Sequence, residues 1–193
     1  MRRLIYIPII HTETDMGSVS EDMKKEYLAR YGKNNWLEHL KLIAHLWDTI
    51  SERLTAMPLD YGKTRLYQDG LPVCGKEADI VRERAAMESK NHLLLMELME
   101  KGATLMGTES PDLLIQELGN IKEMVGELGK RTGKEGLAAN RLVSNGLLTK
   151  RDHYIAARIA DTLMEGETGI LFIGAMHKVG KSLPKDIRIV YLT

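Results

Sequence analysis

Apolar and polar positions fall into blocks whose spacing changes along the chain. Leu4 to Ile10 is an unbroken apolar run dense in isoleucine, and a polar cluster, His11 to Ser20, follows it. That pattern predicts a buried strand and then a loop. Pro8 inside the run cannot donate to a ladder, which places it at the end of the pairing or at a bulge. From Asn35 to Leu54 the period changes. Trp36, Leu37, Leu40, Ile43, Ala44, Trp47, Ile50 and Leu54 recur at spacings of three and four, predicting an amphipathic helix. Ser20 with Glu21 and Asp22 marks the start of an earlier helix, running to about Tyr31.

Thr64 to Gln68 reads as a short strand closed by Asp69-Gly70 and Pro72. Lys76 to Lys101 is predicted as one long helix ended by Gly102. Ala103 to Met106 is a short apolar strand and Gly107-Thr108-Glu109 a turn. Ser110-Pro111-Asp112 then opens a helix with a cap and a first-position proline. That helix fades near Gly126 and Gly129, and Lys130 to Glu135 forms a polar hinge. Helices over about 136–144 and 150–164 come next. Gly169–Ile173 and Ile187–Leu192 are the last two strands. The alternation predicts an α/β fold in one domain over 1–193. Its central sheet is mostly parallel and flanked by helices, with a helical excursion around 110–165.

Composition narrows the function classes. The chain has 193 residues, 44% hydrophobic and 28% charged, as expected of a soluble globular domain. Twenty-seven basic residues balance twenty-seven acidic ones. A neutral chain lacks the basic excess that phosphate contacts require, so no nucleic-acid partner is expected. Cys74 is the single cysteine, which excludes an internal disulfide and a cysteine-rich zinc site. Met1-Arg2-Arg3 before the first apolar run imitates a signal peptide. The run is too short, and Glu13 and Asp15 occupy the place of a small-residue cleavage site. A cytoplasmic protein with no membrane span is the expectation.

In parallel sheets, ligands bind beyond the carboxyl ends of the strands. The residues that follow the predicted strands are therefore the candidates. His11, Glu13 and Asp15 follow the first strand, Asp69 the second, Glu109 the third and His177 the fourth. Each has an ordinary alternative. Asp69 before Gly70 suits a plain turn, Glu13 or Asp15 a helix cap, and Glu109 the positive end of the helix after it. His11 and His177 at the tips of apolar strands are alternatively hydrogen-bonded structural histidines. Imidazoles and carboxylates meeting at one edge suit a divalent ion such as zinc or manganese, whose bound water becomes a nucleophile near neutral pH. Without metal they suit general acid–base chemistry. No Gly-x-Ser-x-Gly elbow and no phosphate-binding loop is present.

The late motif Gly174-Ala175-Met176-His177 after GILFI, the helix opening Lys150-Arg151-Asp152-His153-Tyr154-Ile155-Ala156, and Glu109 in LMGTESPDLL resemble the TraB/ChaN/Tiki-like superfamily. Erythromycin-esterase-like proteins are related to that group. The family pattern has Arg-Asn-x-x-Met-Ala where this chain has Asp152 and Ile155. An early Gly-x-x-His is matched by Pro8-Ile9-Ile10-His11, with proline in place of glycine. The resemblance covers about a third of the chain. Its Tiki-like members imply metal-dependent proteolysis, its esterase relatives a histidine-dependent hydrolase, and its ChaN-like members haem binding.

The leading expectation is a metal-assisted hydrolase of peptide or ester bonds acting on a small-molecule or peptide substrate. His11, Glu109 and His177 are the first candidates for ligands or general bases, and Glu13 and Asp15 the second. Arg151 is placed to steady an oxyanion or to pair with a carboxylate. A non-catalytic regulator binding a small acidic or metal-bearing ligand, as a homodimer through the 110–165 helices, is the alternative. A purely structural interaction module is the third reading.

Overall fold

The computed structural model describes residues 1–10, 20–128 and 134–192; of 20–23, 26, 123–128 and 134–143 the backbone alone is described. His11, Glu13 and Asp15, and most of the expected polar hinge, lie outside the described residues. Among these residues the chain is an α/β fold of five strands and five helices. The strands are β1 (Arg2–Ile9), β2 (Thr64–Gln68), β3 (Thr104–Met106), β4 (Thr168–Gly174) and β5 (Ile187–Tyr191). The helices are α1 (Ser20–Ala56), α2 (Glu77–Ala86), α3 (Lys90–Glu100), α4 (Pro111–Leu128) and α5 (Lys134–Thr162).

All strand pairs are parallel, and the sheet order is β3-β2-β4-β1-β5. β4 is thus inserted between the strands that α1 connects. Alternation along each strand splits the apolar residues between the two faces. Ile5, Ile7, Ile9, Leu66, Ile170 and Phe172 pack on one face against α1, α2 and α3. Leu4, Tyr6, Tyr67, Leu171 and Ile173 pack on the other against Ile155, Ala156 and Ile159 of α5 and Leu163 just after it. α4 packs on α5. Burial on both faces explains why β1 and β4 read as continuous apolar runs.

Pro8 resolves to the first of its two expected roles. β1 pairs with β5 only from Arg2 to Tyr6, while its ladder with β4 continues to Ile9. Tyr6 accepts from Leu192 on the β5 side and Ile9 accepts from Ala175 on the β4 side. Pro8, in phase with Tyr6, therefore turns its missing N–H toward the side where β5 has ended.

Two helix expectations are corrected. The helix predicted over Lys76–Lys101 is two helices, broken where Glu88 takes φ 61° and Ser89 caps α3 by accepting from the His92 N–H. A non-glycine residue in the left-handed region ends a helix in any case, and the capping serine restarts it. The helices expected over 136–144 and 150–164 are the single run α5, which carries Asn145 and Gly146 in its interior. The two helices expected at the start of the chain are both present: α1 is two helical runs that meet at Gly32, whose φ 79° and ψ 166° are non-helical. The predicted apolar face of α1 is buried only from Ile43 onward; Leu37 and Leu40 are exposed. Residues 33–56 alone span about 36 Å as helix, against about 26 Å for the eight residues of β1. The helix outruns the sheet that would cover it.

Candidate functional site

The last turn of α5 that faces the sheet before its carboxyl edge is polar. Ile155, Ala156 and Ile159, with Leu163 just beyond the helix, form the buried stripe of α5, and one turn earlier the same face carries Arg151 and Asp152. α5 leads into β4, so its earlier turns lie beside the ends where the parallel strands finish. Arg151 and Asp152 thereby meet the residues that follow β2, β3 and β4.

Arg151 is the centre of one cluster. Its Nε donates to Glu109 Oε2 at 2.6 Å, and its Nη2 donates to Glu109 Oε1 at 2.5 Å and to Asp69 Oδ1 at 2.8 Å. Its Nη1 donates to Glu117 of α4. Arg151 and Glu109 are buried, Glu109 with no exposed surface at all. Backbone amides hold the carboxylates from behind. Gly70 N–H donates to Glu109 Oε1 and Gly174 N–H to Asp69 Oδ2, each at 2.8 Å. Glu109 is itself fixed by strand-like pairing with Pro72 and by its N–H donating to Leu71 O. The turn before it needs Gly107, since a Cβ there would lie 2.7 Å from Glu77 Oε1 and 2.8 Å from Val73 Cα.

His177 is the centre of the second cluster. Gly174 O accepts from the His177 N–H, which folds the loop after β4 back on itself. His177 Nδ1 lies 2.6 Å from Asp152 Oδ1, and Lys178 N–H donates to Asp152 Oδ2. An ionised carboxylate only accepts, so Nδ1 carries the hydrogen in this pair. Nε2 then faces Asp69 Oδ2 at 3.6 Å, beyond hydrogen-bond length. Tyr6 O–H donates to His177 O.

The charges are uneven. Asp69, Glu109 and Asp152 face Arg151 and His177, and water is largely excluded. Burial pushes the Glu109 carboxyl above its ordinary value, with the neighbouring Asp69 adding to the shift against the opposing effect of Arg151. Burial works against the Arg151 charge, yet the hydrogen bond to Glu109 and the charges of Glu109, Asp69 and Glu117 outweigh it and raise its pKa. Burial, then Asp152, Tyr191 and Asp69, push the Tyr6 phenol up to about 12.

Of the residues expected from sequence, Glu109, Arg151 and His177 come together at one sheet edge. Of the two roles read for Arg151, the geometry gives carboxylate pairing. Asp69, which sequence left between turn and site, sits between the two clusters and touches both. Asp152 and Glu117 were not singled out by sequence; the signal for Asp152 was its place beside Arg151, where the resembling family has asparagine. His39 stacks on Tyr27, His92 bonds Ser89, and the His153 ring bonds Thr149 O. Cys74 is free and exposed.

The carboxylates described here do not fit a divalent ion. Both oxygens of Asp69, Glu109 and Asp152 already meet protein donors, and no group of three or more metal-ligating side chains occurs among the described residues. Among them, too, no helix is long and apolar enough to cross a membrane. Set against family models, curated proteins and solved structures, the chain has no match in any of the three.

Proposed function

We propose that the chain is a hydrolase whose general base is His177, working at the carboxyl edge of the parallel sheet. The observation that supports this is the Asp152–His177 pair. A carboxylate on Nδ1 fixes the tautomer and ring orientation and favours the imidazolium that forms when Nε2 takes a proton. A water or hydroxyl 2.8 Å from both partners fits the 3.6 Å gap between Nε2 and Asp69 Oδ2. His177 would take its proton and return it to the leaving group; Asp69 would orient it. Peptide and ester substrates remain the proposed class, in line with the resemblance of Gly174–His177 and Arg151 to the TraB/ChaN/Tiki-like pattern. Metal assistance on this reading would draw on His11, Glu13 and Asp15.

The test is turnover on ester and peptide panels by His177→Ala and Asp152→Asn proteins. A loss of roughly 10²–10⁴-fold in kcat in both variants, with the fold intact, is expected. Unchanged turnover would sink the reading. The closure of the Arg151 cluster favours a second reading, a non-catalytic ligand-binding regulator. Ligand-induced stabilisation with no turnover on any panel would select it.

A further inference from the structure

On the sheet face covered by α1, α2 and α3, three buried polar side chains have no hydrogen-bond partner among the described residues. They are Trp47 through Nε1, Gln68 through Oε1, and Asn91 through both Nδ2 and Oδ1. Trp47 and Gln68 are 2% exposed and Asn91 is 0% exposed. The fold brings them to one layer. Gln68 ends β2 beside its register partner Phe172 of β4, and the Trp47 ring lies 6.1 Å from the Phe172 ring. Asn91 begins the buried stripe of α3 that continues as Leu94, Leu95 and Leu98. Its neighbour Lys90 reaches Ala44 O and Asp48 of α1, so the first turn of α3 lies beside the turn that carries Trp47. We propose that Trp47, Gln68 and Asn91 form an internal hydration site, where ordered water bridges α1, α3 and the end of β2.

The unmet groups name the ligand. Trp47 and Asn91 offer donors, and Gln68 and Asn91 offer acceptors. An occupant must therefore both donate and accept, as water does when it meets two to four polar partners. The core around these groups is otherwise apolar, with Ile43, Leu71, Leu95 and Phe172 in it, and such surroundings disfavour an ion. Ordinary roles are already filled. Ser89 caps α3, so Asn91 is not needed there. Gln68 Nε2 donates to Asp69 O, which turns Oε1 the other way. That bond ties the hydrated layer to the strand end that carries Asp69. A buried polar group left bare is costly, and a buried indole N–H ordinarily finds an acceptor.

The inference stands apart from the hydrolase reading, because it is read without turnover. A high-resolution crystal structure of the wild type is expected to show water within about 3.2 Å of polar atoms on at least two of the three side chains. Melting temperatures give the second readout through their sign. Asn91→Leu removes an amide of similar size. With water in place, it leaves that water and its other partners short of a hydrogen bond, and a fall of about 2–6 °C is expected. If the groups stand bare, the same change removes two unmet atoms and the melting point rises. Adding Gln68→Met to Asn91→Leu should cost little beyond the larger single loss, because residues joined through one water do not act independently. A melting point unchanged or raised in Asn91→Leu would overturn the proposal. So would a crystal structure in which Asn91 and Gln68 bond each other directly, or in which a larger molecule fills the site.

Discussion

The two ends of the sheet each carry an arginine–carboxylate assembly, and they are built in opposite ways. At the amino edge, Arg65 near the start of β2 meets Glu167 just before β4. Nε donates to Oε2 at 3.0 Å and Nη2 to Oε1 at 2.7 Å, and the Met164 N–H closes on the same carboxylate. One cation faces one anion, both partly exposed. The hydrogen bond to Arg65 holds the Glu167 carboxyl below its ordinary value despite burial. At the carboxyl edge, Arg151 faces three carboxylates, and Glu109 is held above its ordinary value by burial. The first assembly is a fastener with its charges balanced. The second holds an excess of acid away from water, an arrangement that stability alone does not favour.

Breaking each arginine should separate the two most widely. Arg151→Ala is expected to cost about 3–5 kcal/mol in urea denaturation, because it strands buried carboxylates. Arg65→Ala is expected to cost about 1 kcal/mol, since its partner reaches water. Equal losses would dissolve the contrast. The pH dependence sharpens it through sign. Glu167, with its pKa lowered, contributes stability that is present above the ordinary carboxylate value and lost as pH falls through its own lowered value. Glu109, with its pKa raised, contributes stability that is present below the ordinary value and lost as pH rises through its own raised value. Urea midpoints measured between about pH 3 and 8 should therefore lose their acid-side fall in part in Glu167→Gln, and their fall with rising pH in part in Glu109→Gln. Slopes changing in the same direction would contradict the assignment. The smallest effect is expected from Glu117→Gln. That side chain is 34% exposed, and the change should cost less than about 1 kcal/mol.

β1 and β4 were legible because both are buried on the two faces of the sheet and so appear as apolar blocks; β2, β3 and β5 were legible as short runs bounded by turn residues. The break between α2 and α3 was not legible. Ala85-Ala86-Met87 favours helix, and the left-handed turn falls on Glu88 where no glycine marks it. The long α5 was split in expectation because Asn145 and Gly146 are weak helix formers, yet continuous helix won. At the site, the strand-end rule brought Glu109 and His177 forward because it depends only on local order. Asp69 stayed ambiguous for a physical reason. Its partner Arg151 lies 82 residues further on, and a turn aspartate and a clamped one look alike until the helix that supplies the arginine is placed. Asp152 was hidden by its own neighbour, since attention to the arginine assigned its partner no work.

Arg151 and Asp152 are consecutive, and this fixes the azimuth of α5. Neighbouring residues point about 100° apart around a helix axis, so one turns toward the β2 and β3 ends and the other toward the β4 end. Rolling α5 by one residue would aim Asp152 at Glu109 and Asp69, acid against acid, and would turn the guanidinium away from its carboxylates. The apolar stripe below tolerates a small roll, because methyl groups have no sign. The arginine–aspartate step does not, and it keys the helix to one orientation above the sheet.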